Sequence, residues 1–201
     1  MTYVLDATAW AAGCRHLAAA DPVLAGLVDA YGEERLMPHG DVFATLARAI
    51  AGQQISVLAA ERIWQRLLDR LGRATPAAVL AAGEADLAAC GLTRRKAAAL
   101  TAIAAGLEAG AAIPDSREAL LALPGVGPWT ADMVAIFALG APDVLPLADI
   151  GLHRAIAGHY GLPRENLHPE GLERVAAPWR PWRSIAVWYL WRALDPVPVS
   201  Y

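Results

Sequence analysis

The chain has 201 residues, 56% hydrophobic and 18% charged, with a net charge of −3. That is room for one domain or two small lobes around a large core, and too little positive charge for a broad basic face. Two cysteines, Cys14 and Cys90, lie far apart and outside any CxxC, which excludes a disulfide framework and a cysteine metal site.

Ala and Leu dominate and β-branched runs are few, so helix is expected throughout. A first helix is predicted over 8–20. Asp21-Pro22 supplies an N-cap and a first helical residue for a second, ending near residue 31. Residues 32–40 are a loop. Asp41 can cap a helix to residue 51, which Gly52 ends. Gln53-Gln54-Ile55 is a short turn, and its two amides could cap the helix before it. Ser56 caps a long helix to 71, with Val57, Ala60, Ile63, Trp64, Leu67, Leu68 and Leu71 on one face. Thr75-Pro76 opens a short helix, 86–89 adds a turn, and Gly91 breaks the chain. Thr93 caps a helix to about 109. Arg94, Arg95 and Lys96, the only lysine, stand in its first turn, the unfavourable end of the helix dipole for a cation. A surface accident and a phosphate contact are both open readings of them.

Residues 116–139 read as two helices meeting across a tight bend. Asp115 and Ser116 open the first, with Glu118 placed for a capping box and Leu120, Leu121 and Leu123 as an apolar stripe. Gly125 and Gly127 allow positive φ and close approach, and Pro128 suits a first helical position. The second helix's leading N–H groups then point out of the bend, an anion site suited to phosphate. A plain helix–helix corner is the simpler reading of a bare GxG. A loop with Pro142 and Pro146 follows over 140–148. Asp149 begins the next helix, then come a loop at 163–169, a helix at 170–177, and a last long helix from Pro181 over 182–194. The tail at 195–201 reads as extended. With no strand pattern and no repeat, an all-α chain of roughly ten helices is expected.

Asp149 is the carboxylate singled out for chemistry. Backbone N–H groups at a helix start favour the ionised form of such a group. An N-cap without chemistry is the commoner role. His153, one turn later, reads as a helix histidine, and His16, His39, His159 and His168 show no ligand spacing. No stretch approaches the ~18 apolar residues of a membrane span, and the start lacks a basic-then-apolar leader. A soluble cytoplasmic protein is therefore expected, with no membrane partner.

The string LPGVGPWTA resembles the helix-hairpin-helix of the base-excision DNA glycosylases. ARAIAGQQISVLAAERIW is similar to the family's QQIS helix start, VLPLADIGLHRA to the segment bearing its essential Asp, and WRPWRSIAVWYLW to the PWRS helix of alkylated-base glycosylases. Their order, over 41–194, resembles the AlkA-like, 3-methyladenine DNA glycosylase II branch. The resemblance implies one glycosylase domain over 1–201, two helical lobes with a cleft between them, the hairpin at 116–139 and no N-terminal β domain. It implies Asp149 as catalytic carboxylate, with Trp129 and Trp191 as base-pocket residues. An electron-rich pocket attracts a cationic base at about 0.5–2 kcal/mol per contact. Met133 stands where a relative has an aromatic. Seven tryptophans cannot all line a pocket, and Trp64, Trp182 and Trp188 read as packing residues.

The same resemblance places Gln54 as the wedge that fills the gap left by a flipped base, with Gln53 beside it. It puts Gly125, Val126, Gly127 and Thr130 at the DNA backbone. The carbonyls of Leu121, Leu123 and Val126 would hold a structural Na+ or K+. No cofactor is required, and two cysteines cannot supply four-cysteine iron–sulfur ligation. Trp129 occupies the position of the Schiff-base lysine of bifunctional relatives, which implies a monofunctional enzyme. The partner implied is double-stranded DNA with a damaged base, bound by a monomer. The function implied is hydrolytic release of 3-methyladenine and 7-methylguanine. Two other readings stay open: a non-catalytic binder of distorted DNA, and a glycosylase for deaminated or oxidised bases.

Overall fold

The structure, a computed structural model, describes residues 5–32 and 34–194. The tail at 195–201, read as extended, lies outside the described residues. Among the described residues there are eleven α-helices, two short 3-10 turns and no strand, so the chain is all-α as its composition implies. The chain divides into two compact units. A terminal unit comprises the described residues of Met1–Gly40 and Ala135–Ser200, and a central unit comprises Asp41–Val134.

The central unit holds α3 (Val42–Gly52), α4 (Val57–Leu71), α5 (Pro76–Ala89), α6 (Arg94–Glu108), α7 (Arg117–Leu121) and the start of α8 (Pro128–Phe137). Its helix starts follow the local rule. Asp41, Ser56, Thr75, Thr93 and Ser116 each accept a backbone N–H through the side chain. α5 packs on α6, and α3 packs on α4 and α6. Leu46, Ile50, Leu67, Val79, Leu87 and Leu100 fill the space between them at 1% exposure or less.

The two helical segments expected from 76 and at 86–89 are both present within α5, separated at Gly83, whose φ of 73° and ψ of 169° are not helical. Three local expectations are corrected here. Gly52 is the last helical residue of α3 rather than its stop, and Gln53 is the C-cap. Ser116, not Asp115, caps α7, so Glu118 falls at the second helical position, one residue short of a capping box. The α4 face is buried at Trp64 and Leu67 but not at its start, where Val57 is 67% exposed.

The terminal unit holds α1 (Ala7–Ala20), α2 (Pro22–Tyr31), the end of α8, α9 (Ile150–Tyr160), α10 (Pro169–Ala176) and α11 (Arg183–Leu194). Pro181 precedes α11 rather than starting it, and α8 ends at Phe137, two residues short of the expected end. α11 is buried from Arg183 to Trp191 and packs on α9, α2 and α1. Gly13 of α1 allows this, since a Cβ there would lie 2.3 Å from Ile185 Cδ1. Trp10 meets Trp188 edge-on at 5.3 Å. Trp64 and Trp188 are buried, the packing role read for them.

One buried carboxylate organises the far end of this unit. Asp21 caps α2 through Oδ1, while Oδ2 accepts from Tyr160 Oη at 2.8 Å and Trp179 Nε1 at 2.9 Å. Burial and this carboxylate push the Tyr160 phenol far above its ordinary value. No helix among the described residues is long and apolar enough to cross a membrane.

Candidate active site

In the terminal unit, Asp149 ends the Pro-rich loop and caps α9. Its Oδ1 accepts the Leu152 N–H at 2.6 Å and the Trp191 indole N–H at 2.9 Å. The first bond satisfies one of the unpaired donors of a helix start. The second comes from 42 residues away and fixes the carboxyl's rotation. Asp149 is half-buried, neither turned into the interior nor fully solvated. The Trp191 ring stacks on Phe137 at 5.8 Å with 10° between planes, and both rings are nearly sealed from solvent. Trp191 therefore holds the carboxylate, and little of its surface is left for a base.

Gly151 completes this arrangement. A Cβ there would come within 2.9 Å of Asp149 Oδ1 and 3.5 Å of Trp191 Nε1. The His153 ring donates from Nε2 to the Leu147 carbonyl at 2.7 Å, tying α9 to the loop that delivers Asp149. The PWRS residues support the same loop. Ser184 Oγ donates to the Ala141 carbonyl at 2.6 Å and accepts the Val144 N–H at 3.0 Å. Arg183, 7% exposed, donates to Asp143 at 2.6 Å and to Glu173 at 3.2 Å. A buried guanidinium needs such partners, and here they anchor the residues leading to Asp149.

The central unit carries the hairpin. Gly125 has φ 73°, and a Cβ there would lie 2.6 Å from the Cβ of Ala99 on α6. Both backbone conformation and close approach therefore require glycine. Gly127 is different, since its φ is not positive and its missing Cβ faces open space. It instead starts α8, its carbonyl accepting the first helical N–H, that of Ala131. The expectation of left-handed geometry at both glycines holds only at Gly125. Arg117 of α7 donates to Asp132 of α8 at 2.6 Å, an ion pair joining the two hairpin helices. Burial raises the Asp132 pKa, and the Arg117 bond and charge oppose that rise.

The other expected DNA-facing residues divide into two groups. Gln54 is exposed at the tip of the turn after α3, with φ 58°, an uncommon conformation for a residue with a side chain. Gln53, beside it, is the C-cap of α3 through its backbone N–H, while its side chain turns to the hairpin rather than to the end of α3. Its amide donates to the Gly125 carbonyl at 3.0 Å and to Thr130 Oγ1 at 2.8 Å. Thr130 is 1% exposed and Val126 8% exposed, so neither side chain offers much surface to DNA. Trp129 is half-buried, and its ring edge comes near Gly52. Met133 is buried in α8. Of the three carbonyls expected to hold a cation, that of Leu123 also accepts the Val126 N–H at 3.3 Å.

Lys96 is settled by its bonds. Its Nζ donates to the carbonyls of Ala51 at 2.9 Å and Gln53 at 2.7 Å, closing the C-terminus of α3. Its cation belongs to that helix end, while Arg94 and Arg95 stay exposed. Composition offered no signal for this pairing, nor for Gly151, Phe137 or Ser184 as supports of Asp149. Burial raises the pKa of both Cys14 and Cys90, which suits packing thiols.

The bend at Gly125 joins α7 and α8 as a helix-hairpin-helix, and in the other unit Asp149 is a carboxylate oriented at a helix start. The chain belongs to the HhH-GPD superfamily of base excision DNA repair proteins, whose family model matches residues 47–181. It is similar to the probable bifunctional transcriptional activator/DNA repair enzyme AlkA of Mycobacterium tuberculosis. The two are 34% identical over 193 residues, covering 88% of this chain and 38% of the relative. It is 30% identical to DNA-3-methyladenine glycosylase 1 of Schizosaccharomyces pombe, over 84% of this chain and 79% of that one. Among solved structures, an S. pombe 3-methyladenine DNA glycosylase in complex with abasic DNA superposes with a TM-score of 0.76. The identity there is 26%, with 94% of this chain and 99% of that chain covered. The chain spans well under half the length of the Mycobacterium relative.

Proposed function

We propose that this chain is a monofunctional DNA glycosylase that releases alkylated bases, 3-methyladenine foremost and 7-methylguanine second, from double-stranded DNA. The observation that carries the reading is the Asp149 carboxylate, held at a helix start by one backbone and one indole N–H and left half-exposed. In base release the C1′–N bond breaks, its electron pair leaves with the base, and positive charge grows on the sugar. A fixed carboxylate facing that sugar stabilises the charge and takes the proton from the water that adds at C1′. An alkylated purine already carries positive charge and departs as a neutral base, so binding and flipping dominate the enzyme's task.

The hairpin would grip a phosphate through the N–H groups leading into α8, with Gln54 as the wedge. A strained residue at an exposed turn tip is what such a role would retain. The carbonyls of Leu121, Leu123 and Val126 are hard oxygen donors of the kind Na+ or K+ prefers, and Leu123 keeps a second lone pair. Such an ion would supply positive charge to a bound phosphate. Strand cleavage through a Schiff base needs an available amine. Burial lowers the Lys96 pKa, yet two of its three protons are donated to carbonyls that hold it at the end of α3, which supports hydrolysis without strand cleavage. The protein would act as a cytoplasmic monomer.

The test uses duplexes bearing one 3-methyladenine, 7-methylguanine, uracil or oxidised guanine. Release of the alkylated bases by the native protein, with no strand nick, and loss of release in Asp149→Asn is the expected result. Unchanged release in Asp149→Asn rejects the assignment, and binding to distorted DNA with no released base favours a non-catalytic binder.

A further inference from the structure

We infer that Gln53 is a positioning residue that locks the wedge turn to the hairpin turn, so that Gln54 enters DNA at a fixed distance from the phosphate being gripped. The inference rests on the reading of the chain as a base-flipping glycosylase. It moves Gln53 from the DNA surface into the machinery beneath it.

Gln53 is bonded on three sides within the central unit. Its amide nitrogen donates to the Gly125 carbonyl at 3.0 Å, the residue whose positive φ makes the hairpin bend. The same nitrogen donates to Thr130 Oγ1 at 2.8 Å, inside the first turn of α8. Its backbone carbonyl accepts Lys96 Nζ at 2.7 Å, which pins the wedge turn to α6. α6 in turn packs on the bend, since Ala99 is the atom group a Gly125 side chain would strike. The turn bearing Gln54 is thereby tied to the bend directly through Gln53, and indirectly through Lys96 and α6. Both of the amide's donor hydrogens have acceptors, so a glutamine at this position needs no DNA to complete its bonding.

A wedge offsets the cost of flipping by filling the gap, and that cost is highest for a base drawn from an intact, paired stack. Its placement therefore matters most for a well-paired base and least for one already loosened. A carboxylate supplies no donor for the Gly125 carbonyl, and a methionine fills the space with no polar atom to pair.

Single-turnover release is measured from two duplexes, one with 7-methylguanine opposite cytosine and one with it opposite thymine. Gln53→Glu and Gln53→Met are expected to slow release from the paired duplex about tenfold or more and from the mismatched one less than about threefold. Equal losses on both duplexes, or no loss on either, overturn the inference. Hydrogen exchange separates this from failure of the enzymatic reading. If native protein releases no base, that reading fails, while the lock is judged in Gln53→Met by the backbone amides of residue 53 and Val126, which donate to the Ile50 and Leu123 carbonyls. Their protection falls together if Gln53 couples the turns, and protection retained at Val126 overturns the coupling.

Discussion

Replacing Gly151 by alanine separates fold from chemistry at Asp149. The added Cβ would lie 2.9 Å from Asp149 Oδ1, while ordinary contact begins at 3.4 Å, so the carboxyl must retreat by about 0.5 Å. It cannot do so and keep both the 2.6 Å bond from Leu152 and the 2.9 Å bond from Trp191. Loss of the cap bond costs about 1 kcal/mol. Alanine recovers about the same relative to glycine inside a helix. The net change in stability is near zero, and the melting temperature should stay within about 4 °C. The chemistry has no such offset, because an error of this size in a reacting group costs roughly 10- to 100-fold in rate. Single-turnover release of 7-methylguanine and a thermal melt of the same preparation measure the two effects. Unchanged release would show that the carboxyl's placement does not set the rate, and the argument from geometry would fail. A large loss of stability would show that α9 itself was broken.

Trp191→Phe removes the indole N–H and keeps the ring stacked near Phe137. The expected result is kcat lower by about tenfold, the worth of one hydrogen bond of ~1.4 kcal/mol, with KM unchanged. A raised KM with intact kcat would instead make Trp191 a base-binding residue. Arg117→Met leaves the Asp132 carboxylate, 2% exposed, without its partner and should cost about 2–3 kcal/mol, less than a fully buried pair because Arg117 is partly solvated. Asp132 also predicts the pH dependence. Its folded pKa is raised above the ordinary 3.8, so the folded state holds the proton more tightly and stability falls as pH rises from below 3.8 through the raised value. Without Arg117 the pKa rises further and the loss extends to higher pH, read as urea midpoints between pH 3 and 7. A midpoint independent of pH in that variant would refute the assignment.

The helix starts were legible because a cap is a local event. Asp21, Asp41, Ser56, Thr75, Thr93 and Asp149 accept N–H groups two or three residues ahead, and the side chain and its target share a few bonds of backbone. Where two caps competed, as at Asp115 and Ser116, one residue of register decided, and no local rule ranks them. Gly127 was misjudged because a glycine's identity permits positive φ without requiring it. At Gly125 the approach of Ala99, 26 residues earlier in the chain, independently excludes any Cβ. The supports of the candidate site were illegible for the same reason. Lys96 reaches Gln53, Gln53 reaches Gly125, and Trp191 reaches Asp149 across 43, 72 and 42 residues. Composition identified the residue types, and packing decided which of them turned inward as braces.

Asp149 serves as a cap and is proposed to serve as a catalyst, and the two roles make opposite demands on a substitution. Asparagine caps a helix about as well as aspartate. Its side-chain oxygen can still accept from Leu152 and Trp191, so α9 and the loop before it should remain in place. What disappears is the negative charge. A full charge about 4 Å from a developing sugar cation is worth about 4 kcal/mol at an effective dielectric near 20, close to a thousandfold in rate. A cap without chemistry predicts no change in either stability or base release. An oriented carboxylate predicts a protein that melts like the native one, binds DNA like it, and releases base roughly a thousand times more slowly. Because both bonds to the side-chain oxygen survive the substitution, the comparison isolates the charge.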